Sequence, residues 1–364
     1  MLTFSKPTFL GIDFGMSHVK AVELTIKNDR PYLLNYGEVL VDFSDIQDIT
    51  TQSQTPEEKI RSLLVALLQK MAPKSDSAYV AMPGFSGLIT LIELPKMSKA
   101  DLDHAVQFEA QRYIPSPLSE VVLSWDIISG QPANETHDKK ETTPPVKSSE
   151  NLEILLVAAL HREVEKYEHY IAASTLKMEM LELETFSLAR SLAPESGGTI
   201  LIIDIGSRST NLILVENGLI KINRNINAGG HEITTTISEA LNVTWERANM
   251  IKVGDKDFLI NKESTIVFPS LELVISESQR MLMAYKEKHK DSHVDKLILS
   301  GGTSRMKGIE EYFSKTLNIE TIIGNPWSRI FYDEKLSGAI SQLGASYSVA
   351  IGLALAGIEA YDRK

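Results

Sequence analysis

Thr8-Phe9-Leu10-Gly11-Ile12-Asp13-Phe14-Gly15-Met16-Ser17-His18-Val19-Lys20-Ala21-Val22-Glu23-Leu24 is an apolar run, an Asp-Phe-Gly turn and a second apolar run. The pattern predicts two strands joined tightly. Glycine in such a turn lets successive backbone N–H groups face an anion, and the adjacent Asp can hold a hard cation directly or through water. One such hairpin is a common structural feature. The chain carries a second at Thr199-Ile200-Leu201-Ile202-Ile203-Asp204-Ile205-Gly206-Ser207-Arg208-Ser209-Thr210-Asn211-Leu212-Ile213-Leu214-Val215. Each copy then reaches a turn (Asn28-Asp29, Asn217-Gly218) and a third apolar run.

A chain of 364 residues exceeds one ordinary hydrophobic core, so two domains are expected. Apolar residues make up 43% and charged residues 23%, an ordinary globular balance. The net charge of −11 argues against nucleic-acid binding and against a broad basic membrane surface. With no cysteine, disulfides, thiolate metal sites and Cys nucleophiles are excluded. Met1 to Pro7 does not read as a signal peptide, and no run of about 18 apolar residues occurs. A cytoplasmic protein without membrane insertion is expected.

Along the chain, Pro31 to Val41 reads as a third strand and Asp42 to Ser53 as a polar connection. Thr55, Pro56 and Glu58 open a capped helix, and Ser77 to Met82 forms a strand stopped by Pro83-Gly84. Next come a strand (Leu88 to Leu94), a helix capped by Ser98 and running from Lys99 to Tyr113, and a strand from Val121 to Ile128. Gly130 to Asn151 has too few apolar residues to form a core and reads as a mobile loop. Leu152 to Leu160 is a strand and His161 to Ala173 an amphipathic helix. The domains expected are a first lobe over 1–85, an inserted α+β subdomain over 86–176, a return to the first lobe over 177–197, a second lobe over 198–344, and a C-terminal packing helix over 345–364.

Two more glycine turns follow in the second half. Ala228-Gly229-Gly230-His231 enters a helix, a geometry suited to phosphate. Leu299-Ser300-Gly301-Gly302-Thr303-Ser304 closes a strand and opens a helix. Glycine turns after apolar strands, two of them with Asp, describe a two-lobed nucleotide cleft. Backbone N–H groups would cradle a triphosphate, and two Asp would anchor Mg²⁺ through water.

The set Gly11-Ile12-Asp13-Phe14-Gly15, Asp204-Ile205-Gly206 and Leu299-Ser300-Gly301-Gly302 resembles the actin-like ATPase superfamily. Leu94-Pro95-Lys96-Met97, Phe108 to Pro117, Asn325-Pro326-Trp327 and Tyr347 to Leu355 are similar to the PilM family of type IV pilus assembly proteins. The resemblance implies a two-lobed α/β actin-like fold with an FtsA/PilM-type inserted interaction subdomain, and ATP or ADP with Mg²⁺ in the cleft. Carried over by motif, Asp13 and Asp204 would position the metal. Gly15, Ser17, Lys20, Gly206 and Ser207 would line the phosphates, Gly301, Gly302 and Ser304 would lie along the nucleoside, and Gly11, Gly229 and Gly230 are also expected to bind the cofactor. The resemblance also implies a partner, the cytoplasmic N-terminal peptide of a PilN-like inner-membrane protein, met by Glu109, Arg112, Tyr113 and Pro115. It further implies contacts with other pilus assembly proteins, including motor ATPases, recruitment to the inner membrane's cytoplasmic face, and leaves self-association open.

Some residues depart from the family pattern. Met16 stands where Ser or Thr is usual, and alignment on Gly254 puts Ala248 and Met250 where relatives carry Glu and Lys. Weaker nucleotide binding is the expectation. Lys20 reads either as a phosphate contact or as an exposed strand lysine. His18 reads as an exposed turn residue, Trp125 and Trp327 as packing anchors, and Glu277 with Arg280 as a brace of the second lobe. No catalytic triad, paired carboxylates or water-activating Glu or Gln can be placed from spacing. Three functions are thus in play: an assembly adaptor with slow or absent hydrolysis, an active ATPase, and an FtsA-like divisome adaptor. The last is disfavoured by the missing amphipathic ending.

Overall fold

The computed structural model describes residues 6–41, 55–129, 151–194, 197–261, 264–289 and 292–363. The polar connection read at 42–53 and all but the last residue of the loop read at 130–151 lie outside these. In chain order come β1 (Thr8–Phe14), β2 (His18–Lys27), β3 (Arg30–Leu40), α1 (Pro56–Met71), β4 (Ser77–Met82), β5 (Gly87–Leu94), α2 (Lys99–Ala110), β6 (Val121–Ser129), β7 (Leu152–Leu160), α3 (His161–Ile171) and β8 (Lys177–Leu183). The second half holds α4 (Glu184–Leu192), β9 (Thr199–Ile205), β10 (Thr210–Glu216), β11 (Leu219–Ile226), α5 (Gly230–Leu241), α6 (Trp245–Lys252), α7 (Pro269–Lys288), β12 (Lys296–Ser300), α8 (Ile309–Leu317), β13 (Thr321–Ile323), α9 (Ser337–Leu343) and α10 (Ser348–Asp362).

The chain forms two compact units, Met1–Gly84 with Lys166–Lys364, and Phe85–Glu165. The smaller one is shorter than the 86–176 read from sequence. The reason lies in α3, whose Tyr167 and Tyr170 are buried against Phe14 of the larger unit, at ring separations of 5.7 and 5.2 Å.

The larger unit holds two five-stranded sheets, β3-β2-β1-β4-β8 and β11-β10-β9-β12-β13, with the same internal order. In each, the first two strands form the antiparallel hairpin seen in the sequence, while the first, fourth and fifth run parallel. The carboxyl ends of the parallel strands therefore open along one edge of each sheet, the place where α/β sheets bind ligands. Helix α1 starts where the sequence indicates. Thr55 Oγ1 accepts from Glu58 N–H, the Glu58 carboxylate accepts from Thr55 N–H, and Pro56 occupies the first turn.

Helix α10 is the spine of the first lobe. Val349 to Ile358 is buried throughout, packed on β1, β2, β4 and α4. By length and composition the helical stretch Glu334–Asp362 could cross a membrane, but most of it is buried inside this core. α10 begins at Ser348 rather than Ala345, because Gly344–Tyr347 forms a 3₁₀ turn. Trp327 is buried beside it, and its indole N–H donates to Gly344 O at 2.9 Å. The second lobe packs Leu201, Ile203, Leu212 and Leu214 against Ile233, Ile237, Val274 and Met281. Each such side chain contributes roughly 1.5–3 kcal/mol. Glu277 on α7 bonds Arg224 of β11 at 2.8 Å and Arg280 at 2.5 Å, tying the helix to the sheet edge.

In the smaller unit, β7 lies between β5 and β6, antiparallel to both. Leu152, Ile154 and Leu156 pack with Leu102, Val106 and Ala110 of α2. Ser98 caps α2, accepting from Asp101 N–H. The helix stops at Ala110, three residues before the sequence reading. Arg112 and Tyr113 N–H donate instead to Glu109 O and Ala110 O, a tightened last turn leading to Pro115.

Candidate functional site

The two Asp-x-Gly turns have the same geometry. Asp13 stands opposite Lys20 across the first hairpin, and Asp204 opposite Asn211 across the second. A Cβ on Gly15 would lie 2.9 Å from His18 O, and one on Gly206 would lie 2.9 Å from Ser209 O. Gly206 N–H donates to that Ser209 oxygen at 2.9 Å. Glycine is thus required twice, at equivalent positions, to close each turn.

Both Asp residues are half-buried. Burial pushes Asp13 up to about 6, against the pull of Lys20 and with a push from Asp204. Asp204 is also raised by burial, opposed by a Ser300 hydrogen bond and by Lys20. Lys20 is half-buried. Its Nζ donates to Ser346 O at 2.6 Å and lies 5.4 Å from the Tyr347 ring. From there its charge faces both Asp residues. His18, beside the turn, contacts Ser17 Oγ at 3.3 Å, and burial lowers its pKa. Met16 is 40% exposed at the tip.

A third carboxyl joins them. Glu184 opens α4 directly after β8, and Oε1 accepts from Gly84 N–H at 2.9 Å and from Asn211 Nδ2 at 2.7 Å. Burial, then Asp204, push its pKa up to about 8, with the two hydrogen bonds opposing and Asp13 adding to the rise. A carboxyl that changes charge near neutral pH beside two other acids is suited to proton transfer. Spacing along the sequence did not mark Glu184. The signal was available in topology: β8 runs parallel to β4, so its carboxyl end opens on the same edge as Asp13.

Several residues assigned from sequence serve other ends. Gly11 lies mid-strand in β1, and a Cβ there would collide with Ala350 O, so it admits α10 rather than a ligand. The N–H groups of Gly230 and His231 donate to Gly206 O and Ser207 O at 2.8 and 2.7 Å, and Gly229 N–H to Glu232 Oε2 at 2.9 Å. The Gly229-Gly230 turn thereby braces the second Asp-x-Gly turn, and its own donors are occupied. Ser304 Oγ donates to Gly301 O at 2.7 Å and is buried. Gly301, at φ 84°, lies against Ile205, where no side chain would fit. Gly302 is exposed, and a Cβ on it would meet nothing within 4 Å. Gly302, Gly15, Ser17 and Ser207 are the assigned turn residues left facing open space or partly exposed.

Alignment on Gly254 missed a lysine. Ala248 is buried and Met250 is 63% exposed, but Lys252 on the same helix turns inward. Its Nζ donates to Gly230 O at 3.0 Å and Thr234 Oγ1 at 2.7 Å. Burial lowers its pKa to about 8.

In the smaller unit, Glu109 and Arg112 pair at 2.8 Å with the Arg side chain 70% exposed. Tyr113 and Pro115 are exposed beside them. Phe108 is 73% exposed and extends this surface. Trp125 packs partly buried against the unit's core.

Among the described residues no three His, Asp or Glu side chains cluster tightly enough to form a metal cage. Two half-buried carboxyl groups and open glycine turns fit instead a hydrated divalent cation that shares its shell with phosphate oxygens.

Comparison with known proteins agrees with this architecture. The family model for type IV pilus assembly protein PilM matches residues 11–358. A solved structure described as a PilM-PilN type IV pilus biogenesis complex superposes with a TM-score of 0.78 at 23% identity, covering 97% of this chain and 99% of that one. Cell division protein FtsA of Helicobacter pylori is 25% identical over 236 residues, 56% of this chain and 48% of that protein. FtsA of Buchnera aphidicola is 25% identical over 183 residues, 42% and 43% respectively. The chain spans about half the length of these curated relatives. It belongs to the PilM family of type IV pilus assembly proteins and has the two-lobed α/β fold of the actin-like ATPases.

Proposed function

We propose that the protein is an adaptor of a type IV pilus assembly complex, binding the N-terminal cytoplasmic peptide of a PilN-like inner-membrane protein while Mg²⁺ and ATP or ADP in the cleft set its conformation. The observation that carries this reading is the family match over nearly the whole chain, together with its likeness to a PilM solved with PilN. The partner surface we assign is the end of α2, where Phe108, Arg112, Tyr113 and Pro115 are exposed together. A short peptide there buries little area, so its affinity is moderate unless two copies engage together. The protein then works in the cytoplasm, drawn to the inner membrane by its partner.

In the cleft, Asp13 and Asp204 would hold the cation through its water shell. Gly15, Ser17, Gly206 and Ser207 would face the phosphates, with Gly302 bordering the rest of the nucleotide. The bound group supplies a labile phosphoanhydride. The chain supplies charge and orientation: Lys20 offsets the two Asp, and Lys252 backs the Gly230 turn.

A second reading, an active ATPase, is favoured by Glu184 alone. A carboxyl with pKa about 8 is mostly protonated at neutral pH, and its ionised fraction could accept a proton from water.

Calorimetry with synthetic peptides from the cytoplasmic N-termini of bitopic pilus-assembly proteins, beside a phosphate-release assay, separates the two. The adaptor predicts saturable peptide binding that Arg112→Glu weakens while ATP affinity is retained. Rapid turnover with no peptide bound refutes it and favours the enzyme.

A further inference from the structure

The larger unit releases the chain at Gly84 and takes it back at Lys166, and cleft residues grip both points. At the exit, Gly84 N–H is held by Glu184 Oε1, the oxygen that also takes Asn211 Nδ2. On its other side Gly84 lies against second-lobe strands. A Cβ there would come within 2.6 Å of Asn211 Oδ1 and 2.5 Å of Asn225 Oδ1. Both oxygens are buried with no hydrogen-bond partner, so the glycine Cα–H groups are what face them. A Cβ at this position would push on both Asn side chains.

At the return, Phe14 stands between Asp13 and Gly15 in the first turn. Its ring packs on Tyr167 and Tyr170, both under 5% exposed. Those tyrosines sit in α3, a helix that begins at His161 within the smaller unit and ends at Ile171 within the larger. The helix is thus continuous through the boundary.

We infer that Glu184 and Phe14 are positioning residues through which the occupant of the cleft controls the smaller unit at both chain crossings. The inference rests on the proposal that the cleft takes a nucleotide with its cation. Positive charge gathered at Asp13 and Asp204 relieves their repulsion of Glu184, letting its carboxylate settle on Gly84 and Asn211. Charged acceptors hold N–H groups about twice as strongly as neutral ones. Phosphate drawn onto the Gly15–Ser17 turn fixes Phe14 in the same event. The partner surface at the end of α2 lies in the unit so controlled. Occupied and empty clefts should therefore differ in peptide affinity by a factor of about 5 or more, the ordinary range of coupling between sites.

The test is hydrogen exchange on the full chain with and without Mg²⁺ and a non-hydrolysable ATP analogue, whose binding is followed by calorimetry. In wild type, the analogue should slow exchange at residues 84–86 and 167–171. Without nucleotide, Glu184→Ala should speed exchange of the Gly84 amide about fivefold, the loss expected for one ordinary hydrogen bond. Glu184→Gln keeps an acceptor oxygen and drops the charge. It should retain protection without nucleotide and lose the nucleotide-dependent gain at 84–86. Phe14→Ala should lose that gain at 167–171. Analogue binding with no change at either crossing overturns the coupling alone, as does unchanged Gly84 exchange in Glu184→Ala. Failure of wild type to bind the analogue overturns the cleft reading itself.

Discussion

Replacing Glu184 by Gln should stabilise the nucleotide-free protein at pH 8 and leave it unchanged at pH 5. In the folded protein the carboxyl is raised from 4.5 to about 8, by burial first and Asp204 second. An acid raised in this way holds its proton more tightly folded than unfolded. Its cost is absent below about pH 4.5, where both states are protonated, and complete above about pH 8, where both are ionised. Native stability therefore falls as pH rises through that window, by at most about 5 kcal/mol for the full shift. Water entry and relaxation of the cleft reduce the realised cost to about 2–3 kcal/mol. Asp13, raised from 3.8 to about 6, adds a cost of the same sign that is complete above pH 6. Gln keeps an oxygen for Gly84 N–H and Asn211 while removing the charge, so the variant should gain that 2–3 kcal/mol at pH 8. Urea unfolding at pH 5, 6, 7 and 8, followed by the fluorescence of the three tryptophans, measures both slopes. Mg²⁺ with ATP should flatten the wild-type slope and leave the variant nearly unmoved. A variant as pH-sensitive as wild type, or weaker at pH 8, would refute the assignment of Glu184 as a strained buried acid.

Lys252→Met should raise the melting temperature at pH 7. Burial lowers this lysine from 10.5 to about 8, a penalty complete below pH 8, relieved as pH rises and gone above 10.5. Against its ceiling of about 3 kcal/mol stand two lost hydrogen bonds of about 1 kcal/mol each, leaving roughly 1 kcal/mol of gain at pH 7 and a net loss above pH 10.5. Asp13→Ala or Asp204→Ala should abolish Mg²⁺-dependent ATP binding in calorimetry while circular dichroism stays native. Met16→Ser should tighten ATP binding by about 1 kcal/mol, one ordinary hydrogen bond, and equal affinities would show that the turn hydroxyl contributes nothing.

The hairpins were legible in sequence because their signals are local. An apolar run, Asp-x-Gly and another apolar run fix strand, turn and strand without reference to anything distant. The seven-residue offset from Asp13 to Lys20 recurs from Asp204 to Asn211 and gives both hairpins one register. Caps at Thr55 and Ser98 were legible for the same reason. Gly11 was not, because a glycine serving close helix packing looks identical in sequence to one serving a phosphate.

Glu184 shows why the chemistry was harder to read than the fold. Its role comes from three segments distant in sequence: the end of β8, the Gly84 turn after β4, and Asn211 on β10. In the duplicated scheme Asn211 occupies the place of Lys20, so the two copies diverge at one equivalent position. In the first copy a cation faces the acids and anchors on Ser346 O. In the second, a neutral amide holds a carboxyl supplied by the other lobe. Two lysines there would have quenched the acidic field that a hydrated cation needs, and two amides would have left Asp13 and Asp204 repelling each other unrelieved. The asymmetry between Lys20 and Asn211 makes room for a third acid and places its grip on Gly84, where the chain departs for the smaller unit. A Lys at 211 would test this division directly. It should pull the pKa of Glu184 back toward the ordinary carboxylate range and remove the pH dependence of unfolding between 5 and 8. If that dependence survived in Asn211→Lys, the acidity of the cleft would have some source other than the pairing described.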